Sequence, residues 1–125
     1  MIGISPAETE KEHKERYHLP LEHLDIIVYT GFGYSGRNLL LTRSADAVIV
    51  GCGRMGTLNE FTIAFEDNKP IGVLTDSGGT TDLIKKIIEL SRRGEETPVI
   101  FESNPAILVE KLLKLCSTSN VEHSS

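Results

Sequence analysis

The stretch between Ala47 and Glu60 carries the residues best suited to chemistry. An apolar run, Ala47–Val50, leads into a glycine-rich segment, Gly51–Gly56, and then into helix-forming sequence from Thr57. A glycine-rich turn between a strand and a helix gathers several backbone N–H groups at one point, and the helix dipole adds positive potential there. The sequence therefore predicts an anion-binding loop.

Two different spacings overlap in this loop. Gly51, Gly53 and Gly56 form the pattern G-x-G-x-x-G, which is typical of dinucleotide-binding folds. Asp76 follows the next apolar run, at the place where such folds keep an acid for the ribose. On this interpretation the chain is an NAD-binding module.

The second spacing is G-x-x-G-T-x-x-E, which adds Thr57 and Glu60. Thr-x-x-Glu at a helix start is a capping box, a purely structural motif. Alternatively, the Glu60 carboxylate faces the mouth of the loop, where it can bind a sugar hydroxyl or orient water. Arg54, inside the loop, can offer its guanidinium to a phosphate, and Met55 lies beside it.

Two arginines of the preceding helix are further candidates. Arg37 lies in the first turn, where a positive charge opposes the helix dipole, so it is either a functional residue or a solvent-facing one. Arg43 lies near the end of the same helix, where its charge suits the dipole, and it is the weaker candidate.

Short β-branched runs alternate with helical segments along the chain, which predicts β-α-β units and a parallel sheet. We expect an α/β fold, a three-layer sheet of about four to five strands flanked by helices, with Ile2–Ile4 as one short strand. The other predicted strands span residues 25–30, 47–50, 71–74 and 98–101. The predicted helices span residues 35–45, 57–67, 82–93 and 105–115.

The pattern also predicts boundaries and buried faces. We expect a charged N-terminal segment at 1–24, a nucleotide-binding domain at 25–116 and a disordered tail at 117–125. Gly94 is the expected stop of the third helix. The residues expected to face inward in the first and last predicted helices are Leu39, Leu40, Leu41, Ile107, Leu108, Leu112 and Leu115.

In a parallel sheet, ligands bind beyond the carboxyl ends of the strands. The loops at 31–33, 51–56 and 77–79 all follow predicted strands, so we expect them to converge at one edge. Gly78 and Gly79 are therefore predicted to join the phosphate-binding residues.

Composition excludes several classes of function. The net charge of −5 argues against a nucleic-acid surface, which needs clustered Lys and Arg. The sequence shows neither a membrane-spanning apolar run nor a signal peptide, which predicts a cytoplasmic protein. The two cysteines and four histidines show no metal-ligand spacing, so we expect neither a metal site nor a resident cofactor.

Beyond these local patterns, much of the chain resembles the LOG-like (Lonely Guy) family, long labelled putative lysine decarboxylases. The segments that carry the resemblance include Gly36-Arg37-Asn38, residues 43–50, the Gly53–Glu60 motif, residues 69–74, residues 78–84 and residues 101–105. The resemblance is strongest to a bacterial branch that includes relatives of molybdenum-cofactor carriers. It implies a Rossmann-like fold that binds a nucleotide-like small molecule at the glycine loop.

The resemblance also implies a chemistry. Characterised members hydrolyse nucleoside 5′-monophosphates to the free base and ribose 5-phosphate, and their catalytic arginine and glutamate correspond to Arg37 and Glu60. The alternative is a carrier or sensor that binds without cutting. Arg54 replaces a glycine of the usual loop, and Asn38 replaces the usual lysine.

The family's first β-α-β portion has no counterpart in the sequence, which begins near the family's third strand. Missing central strands would expose apolar faces, so we expect either a homo-oligomer (a homodimer) or a chain of marginal stability.

Overall fold

The computed structural model describes residues 1–93 and 96–123, with side chains as far as Thr118 in the last helix. Within these residues, five short strands alternate with five helices. In chain order they are β1 (Ile2–Ser5), α1 (Glu10–Glu15), β2 (Ile26–Tyr29), α2 (Gly33–Ser44), β3 (Val48–Gly51), α3 (Met55–Glu66), β4 (Ile71–Leu74), α4 (Thr81–Ser91), β5 (Val99–Glu102) and α5 (Pro105–His123). The predicted α/β class is confirmed.

Backbone contacts divide the chain into two compact units, residues 1–44 and residues 45–125. In the N-terminal unit, β1 and β2 form a parallel pair with Ile2 opposite Ile26. In the C-terminal unit, β3, β4 and β5 lie side by side in that order, also parallel. The expected strands thus form two sheets, one in each unit.

The main apolar cluster of the C-terminal unit lies on one face of its sheet. Successive side chains of a strand point to opposite faces, and Ile71 and Val73 of β4 are fully buried on the same face. They pack in one cluster with Phe61 of α3 and Ile84 of α4. Burial of such side chains is the main source of stability for this unit.

Helix α5 covers the opposite face of this sheet, where it packs on β4 and β5. Gly72 faces the helix so closely that a Cβ there would lie 3.0 Å from Leu108 Cδ1. The carbonyl oxygen of the Asn104 side chain accepts hydrogen bonds from the Ala106 and Ile107 amides at 3.0 and 3.2 Å, which confirms the predicted helix start. The C-terminal unit therefore has three layers.

The ends of two helices differ from expectation. Helix α5 continues past Leu115 to His123, so the backbone of residues 117–123 is helical rather than a disordered tail, while 124 and 125 lie outside the described residues. Helix α4 ends at Ser91, followed by Arg92 in the left-handed conformation (φ 57°). Gly94, the predicted stop, also lies outside the described residues.

No helix in the described parts of the chain is long and apolar enough to cross a membrane.

The predicted buried side of α2 is wrong. Leu39, Leu40 and Leu41 are all more than a third exposed, whereas Asn38 and Thr42 are buried. Consecutive helical residues point about 100° apart, so three adjacent leucines cannot share one face, whereas residues four apart can. Leu83 and Leu90 of α4 are exposed for the same reason.

His13 holds the N-terminal unit together. It lies in the charged N-terminal segment, yet its ring is buried against Tyr29 in an edge-on contact. Nδ1 lies 2.8 Å from Ser5 Oγ and Nε2 lies 3.0 Å from the Pro20 carbonyl oxygen. Since a carbonyl oxygen only accepts, Nε2 donates to Pro20, and in the neutral ring Nδ1 accepts from the serine hydroxyl. One imidazole thus joins β1, α1 and the loop before β2.

Neighbouring residues on α5 provide a test of the core. Leu108→Ala should lower the free energy of unfolding by about 2–5 kcal/mol, because Leu108 is 1% exposed. Ile107→Ala, at a residue 41% exposed, should change it by no more than about 0.5 kcal/mol. Urea unfolding followed by circular dichroism measures both. Equal losses in the two variants would contradict the position of the core.

Candidate functional site

The loop after β3 is a tight left-handed turn. Cys52 and Gly53 have φ values of 48° and 81°, and α3 begins at Met55 with Arg54 as its N-cap. Thr57 is therefore the third residue of the helix and not its cap, so the predicted capping box does not form. The Thr57 side chain instead packs against Gly53, at the place that a Cβ of residue 53 would occupy.

The loop after β4 locks this turn in place. The Cys52 N–H donates to Ser77 Oγ at 2.7 Å, and Ser77 Oγ donates to the Leu74 carbonyl oxygen at 2.6 Å. The Thr80 N–H donates to the Gly53 carbonyl oxygen at 3.1 Å, and Thr80 Oγ1 donates to that of Arg54 at 3.0 Å. The two predicted glycine loops are thus one hydrogen-bonded structure.

Glycine is required where the two loops touch. Gly79 has φ 65°, and a Cβ there would clash with the Gly53 carbonyl oxygen and lie 2.9 Å from that of Cys52. Gly78 also has positive φ, at 81°, but nothing lies within 4 Å of the place its Cβ would occupy. Gly79 is needed for space and conformation, whereas Gly78 is needed for conformation alone.

The first turn of α3 is open to solvent. Arg54, Met55 and Gly56 are exposed, no side chain caps the helix, and no acidic residue lies in its first turn. The N–H groups of the first helical residues have no partner within a helix, and the dipole places partial positive charge there. The arrangement can bind an anion, and the exposed Arg54 directly precedes the first helical residue. Of the amides first expected to form the anion nest, that of Cys52 is already used by Ser77.

The remaining candidate residues lie on different elements of the two units. Glu60 is half-buried on the second turn of α3, one turn after Thr57. Asp76, the candidate ribose acid, is exposed at the carboxyl end of β4 with φ 58°. Arg37 and Arg43 lie on α2 in the N-terminal unit, and Arg43 is in its last turn as expected.

Arg37 is held within its own unit. Its Nη1 donates to the Ile4 carbonyl oxygen at 3.2 Å, and its Nε donates to Asn38 Oδ1 at 3.1 Å. Its guanidinium lies 5.9 Å from the centre of the Tyr34 ring. These contacts fix the side chain in one orientation.

Sequence reasoning missed Ser77 and Thr80, whose hydroxyls join the loops. Their position in the glycine-containing loop that follows β4 was the available signal, since Ser and Thr in loops commonly bond nearby backbone.

Sequence reasoning also missed Glu102 at the end of β5. There Lys111 and the Asn104 and Ser103 N–H groups hold the pKa of the carboxyl below its ordinary value. The stability that the ionised Glu102 carboxylate contributes is present above its ordinary pKa and is lost as the pH falls through the lowered pKa.

Among the described residues no group of His, Cys, Asp and Glu forms a metal site.

Alanine substitutions at Gly78 and Gly79 should separate the cost of a left-handed backbone from the cost of a steric clash between the loops. Gly78→Ala should lower the free energy of unfolding by about 1–2 kcal/mol, the usual cost of a left-handed alanine. Gly79→Ala should cost at least about 1 kcal/mol more, because it also drives the loops apart. Thermal and urea unfolding measure the difference. Indistinguishable variants would show that the close approach of the loops does not stabilise the unit.

Two solved structures are similar to this chain. The X-ray structure of the protein TM1055 matches with a TM-score of 0.66 and 28% identity, over 88% of this chain and 62% of TM1055. The molybdenum cofactor binding protein from the phototrophic bacterium Rippkaea orientalis matches with a TM-score of 0.68 and 29% identity, over 91% of this chain and 61% of that protein. The chain thus spans about three fifths of the length of either.

These similarities agree with the Rossmann-like fold predicted from the sequence. No curated protein is significantly similar to the chain. The predicted LOG-like relationship is confirmed at the level of the family. The model of the SLOG cluster4 family matches residues 1–109, and the chain belongs to that family.

Proposed function

We propose that the chain binds a small phosphorylated molecule, either a nucleotide or a cofactor of the molybdenum-cofactor type, at the start of α3. The observation that carries the proposal is the open first turn of this helix beside the exposed Arg54. A phosphate there would accept from the backbone N–H groups of the turn and from the guanidinium.

The rigidity of the loop supports this proposal. Ser77 and Thr80 hold the backbone of residues 52–54 through three hydrogen bonds, so the turn is ordered before any ligand arrives. A preformed site avoids the entropic cost of ordering a loop on binding. Gly56 supports it too, since without a side chain it leaves the helix start accessible to a phosphate.

The comparisons also support a phosphorylated ligand. The Rippkaea orientalis protein is described as binding the molybdenum cofactor, and its similarity covers 91% of this chain. Binding without turnover is the main candidate, because the described contacts of Arg37 are with its own unit, where they account for its position without catalysis.

Binding is tested with inorganic phosphate, AMP, GMP and NAD by calorimetry and thermal shift, since a bound ligand raises the melting temperature. Arg54→Ala should weaken binding of AMP or GMP by roughly 10- to 100-fold, the loss of a charged hydrogen bond. Lys85→Ala, which removes an exposed charge from the same unit, should leave affinity unchanged. Equal loss in both variants, or no binding of any probe, would refute the proposal. Tight binding of NAD that Asp76→Ala abolishes would favour the dinucleotide interpretation.

Hydrolysis of a nucleoside 5′-monophosphate is the second candidate function. It is favoured by Glu60, which stands half-buried one turn beyond the open start of α3, as in the Gly-Thr-x-x-Glu motif. Its carboxylate would stabilise oxocarbenium-like charge or orient the attacking water.

If the chain is a hydrolase, Glu60→Gln should reduce release of free base by roughly 100-fold or more while retaining AMP binding. Glu89→Gln, an exposed glutamate of α4, serves as the control and should keep full activity. Chromatography of the products from a panel of monophosphates measures the rate. If the unaltered protein releases no base from any of them, the chain is not a hydrolase of this class, and only the binding role remains.

A further inference from the structure

The N-terminal unit contains a cavity of about 170 Å³ beside β1. Every residue that lines it lies between Gly3 and Arg37, so its walls belong to that unit alone. A cavity of roughly 150 Å³ with apolar walls is large enough to bind benzene. The cavity beside β1 can therefore hold a small organic molecule rather than a single water.

One part of the cavity wall is apolar. Leu19, Pro20 and Leu24 come from the segment between α1 and β2. Leu24 lies over β1, since a Cβ at Gly3 would be 3.0 Å from Leu24 Cδ1. These side chains offer no hydrogen bond, so they favour an apolar group of a bound molecule.

Two polar side chains of the wall, Ser5 and His13, already have partners within the unit. Ser5 Oγ lies 2.8 Å from His13 Nδ1, and the Ala7 N–H donates to the same oxygen at 3.1 Å. His13 Nε2 donates to the Pro20 carbonyl oxygen at 3.0 Å. Both side chains are buried, and their contacts leave them little capacity to select a ligand.

Arg37 differs from them, because most of its donors are free. A guanidinium carries five N–H groups. In the described parts of the chain, Nη1 donates to the Ile4 carbonyl oxygen, Nε donates to Asn38 Oδ1, and no carboxylate pairs with the cation. Ile4 lines the cavity as well, so the guanidinium lies at the cavity wall. A half-buried cation thus has N–H groups available for an anion in the cavity.

We propose that this cavity binds a small monocarboxylate with a compact apolar tail, of the size of benzoate or isovalerate. The carboxylate accepts from Nη1 and Nη2 of Arg37 in the planar, two-pronged geometry that the two groups share. The tail contacts Leu19 and Leu24. Since the contacts of Arg37 already fix its guanidinium, binding costs little side-chain entropy.

The apolar wall selects a carboxylate over a phosphate. A phosphate has oxygen atoms on all sides, and some of them would face Leu19 and Leu24 without a hydrogen bond. The proposal does not depend on the anion site at the start of α3, which belongs to the C-terminal unit.

Amide NMR spectra of the chain, titrated with benzoate, benzyl alcohol and inorganic phosphate, test the site. Benzoate should shift the signals of β1 and of Leu19–Leu24 in a saturable way. Benzyl alcohol has the same ring but no charge, and it should bind at least about tenfold more weakly, as should phosphate. The proposal would be overturned if benzoate caused no saturable shift, or if it moved only the signals of Arg54–Gly56.

Charge removal at Arg37 tests the role of the guanidinium. Arg37→Gln can still donate to the Ile4 carbonyl oxygen but carries no charge, and it should weaken benzoate binding roughly 10- to 100-fold. Arg37→Lys keeps the charge without the planar geometry and should retain part of the affinity. Arg16→Gln alters an arginine side chain of the same unit that is 71% exposed, and it should leave the affinity unchanged. Equal losses in Arg37→Gln and Arg16→Gln would refute the assignment.

The position of the tail is tested by enlarging the cavity. Leu24→Ala should raise the affinity for naphthoate relative to benzoate by roughly tenfold, because it makes room for a second ring. Glu22→Ala, at a neighbouring exposed residue, should leave this ratio unchanged. The ratio compares two ligands on one variant, so a general loss of stability does not alter it. An unchanged ratio in Leu24→Ala would show that the ligand does not lie beneath Leu24 and would contradict the proposal.

Discussion

The close approach of two loops is the constraint on which the C-terminal unit depends. Thr80 bonds to the carbonyl oxygens of Gly53 and Arg54, and this approach requires that Gly79 has no side chain. The contact joins the carboxyl ends of β3 and β4, fixes where α3 and α4 begin, and leaves the first turn of α3 open. Its geometry therefore serves the stability of the sheet and the candidate anion site together.

Helix α5 of the same unit shows that only part of an apolar helix is covered by its sheet. Leu108 and Leu112 face the sheet and are buried, and Leu108 lies over Gly72. Val109 and Leu113 of the same helix are equally apolar, yet they are 43% and 61% exposed. The direction of a side chain relative to the sheet, and not its type, therefore decides which residues of α5 are buried.

Most elements of the fold were predictable because their signals are local. The β-branched run of β4 and the Asn104-Pro105 start of α5 depend only on neighbouring residues. The buried faces were less predictable. Leu39 to Leu41 are as apolar as any core residues, but which part of α2 is covered depends on what packs against it. His13 shows the converse, since its burial follows from Ser5 and Pro20, which approach it only in the folded chain.

The features of the candidate site also divide into those that the sequence determines and those that the folded chain determines. By itself the sequence determined that a glycine-rich turn joins a strand to a helix and that Arg54, Thr57 and Glu60 lie along it, since spacing in a chain is set by covalent geometry. Only the tertiary structure decided that α3 begins at Met55, that Thr57 packs on Gly53 instead of capping, and that Ser77 takes the Cys52 amide. The bond between Cys52 and Ser77 depends on a second loop 25 residues away in sequence, and the packing of parallel strands brings the two loops together.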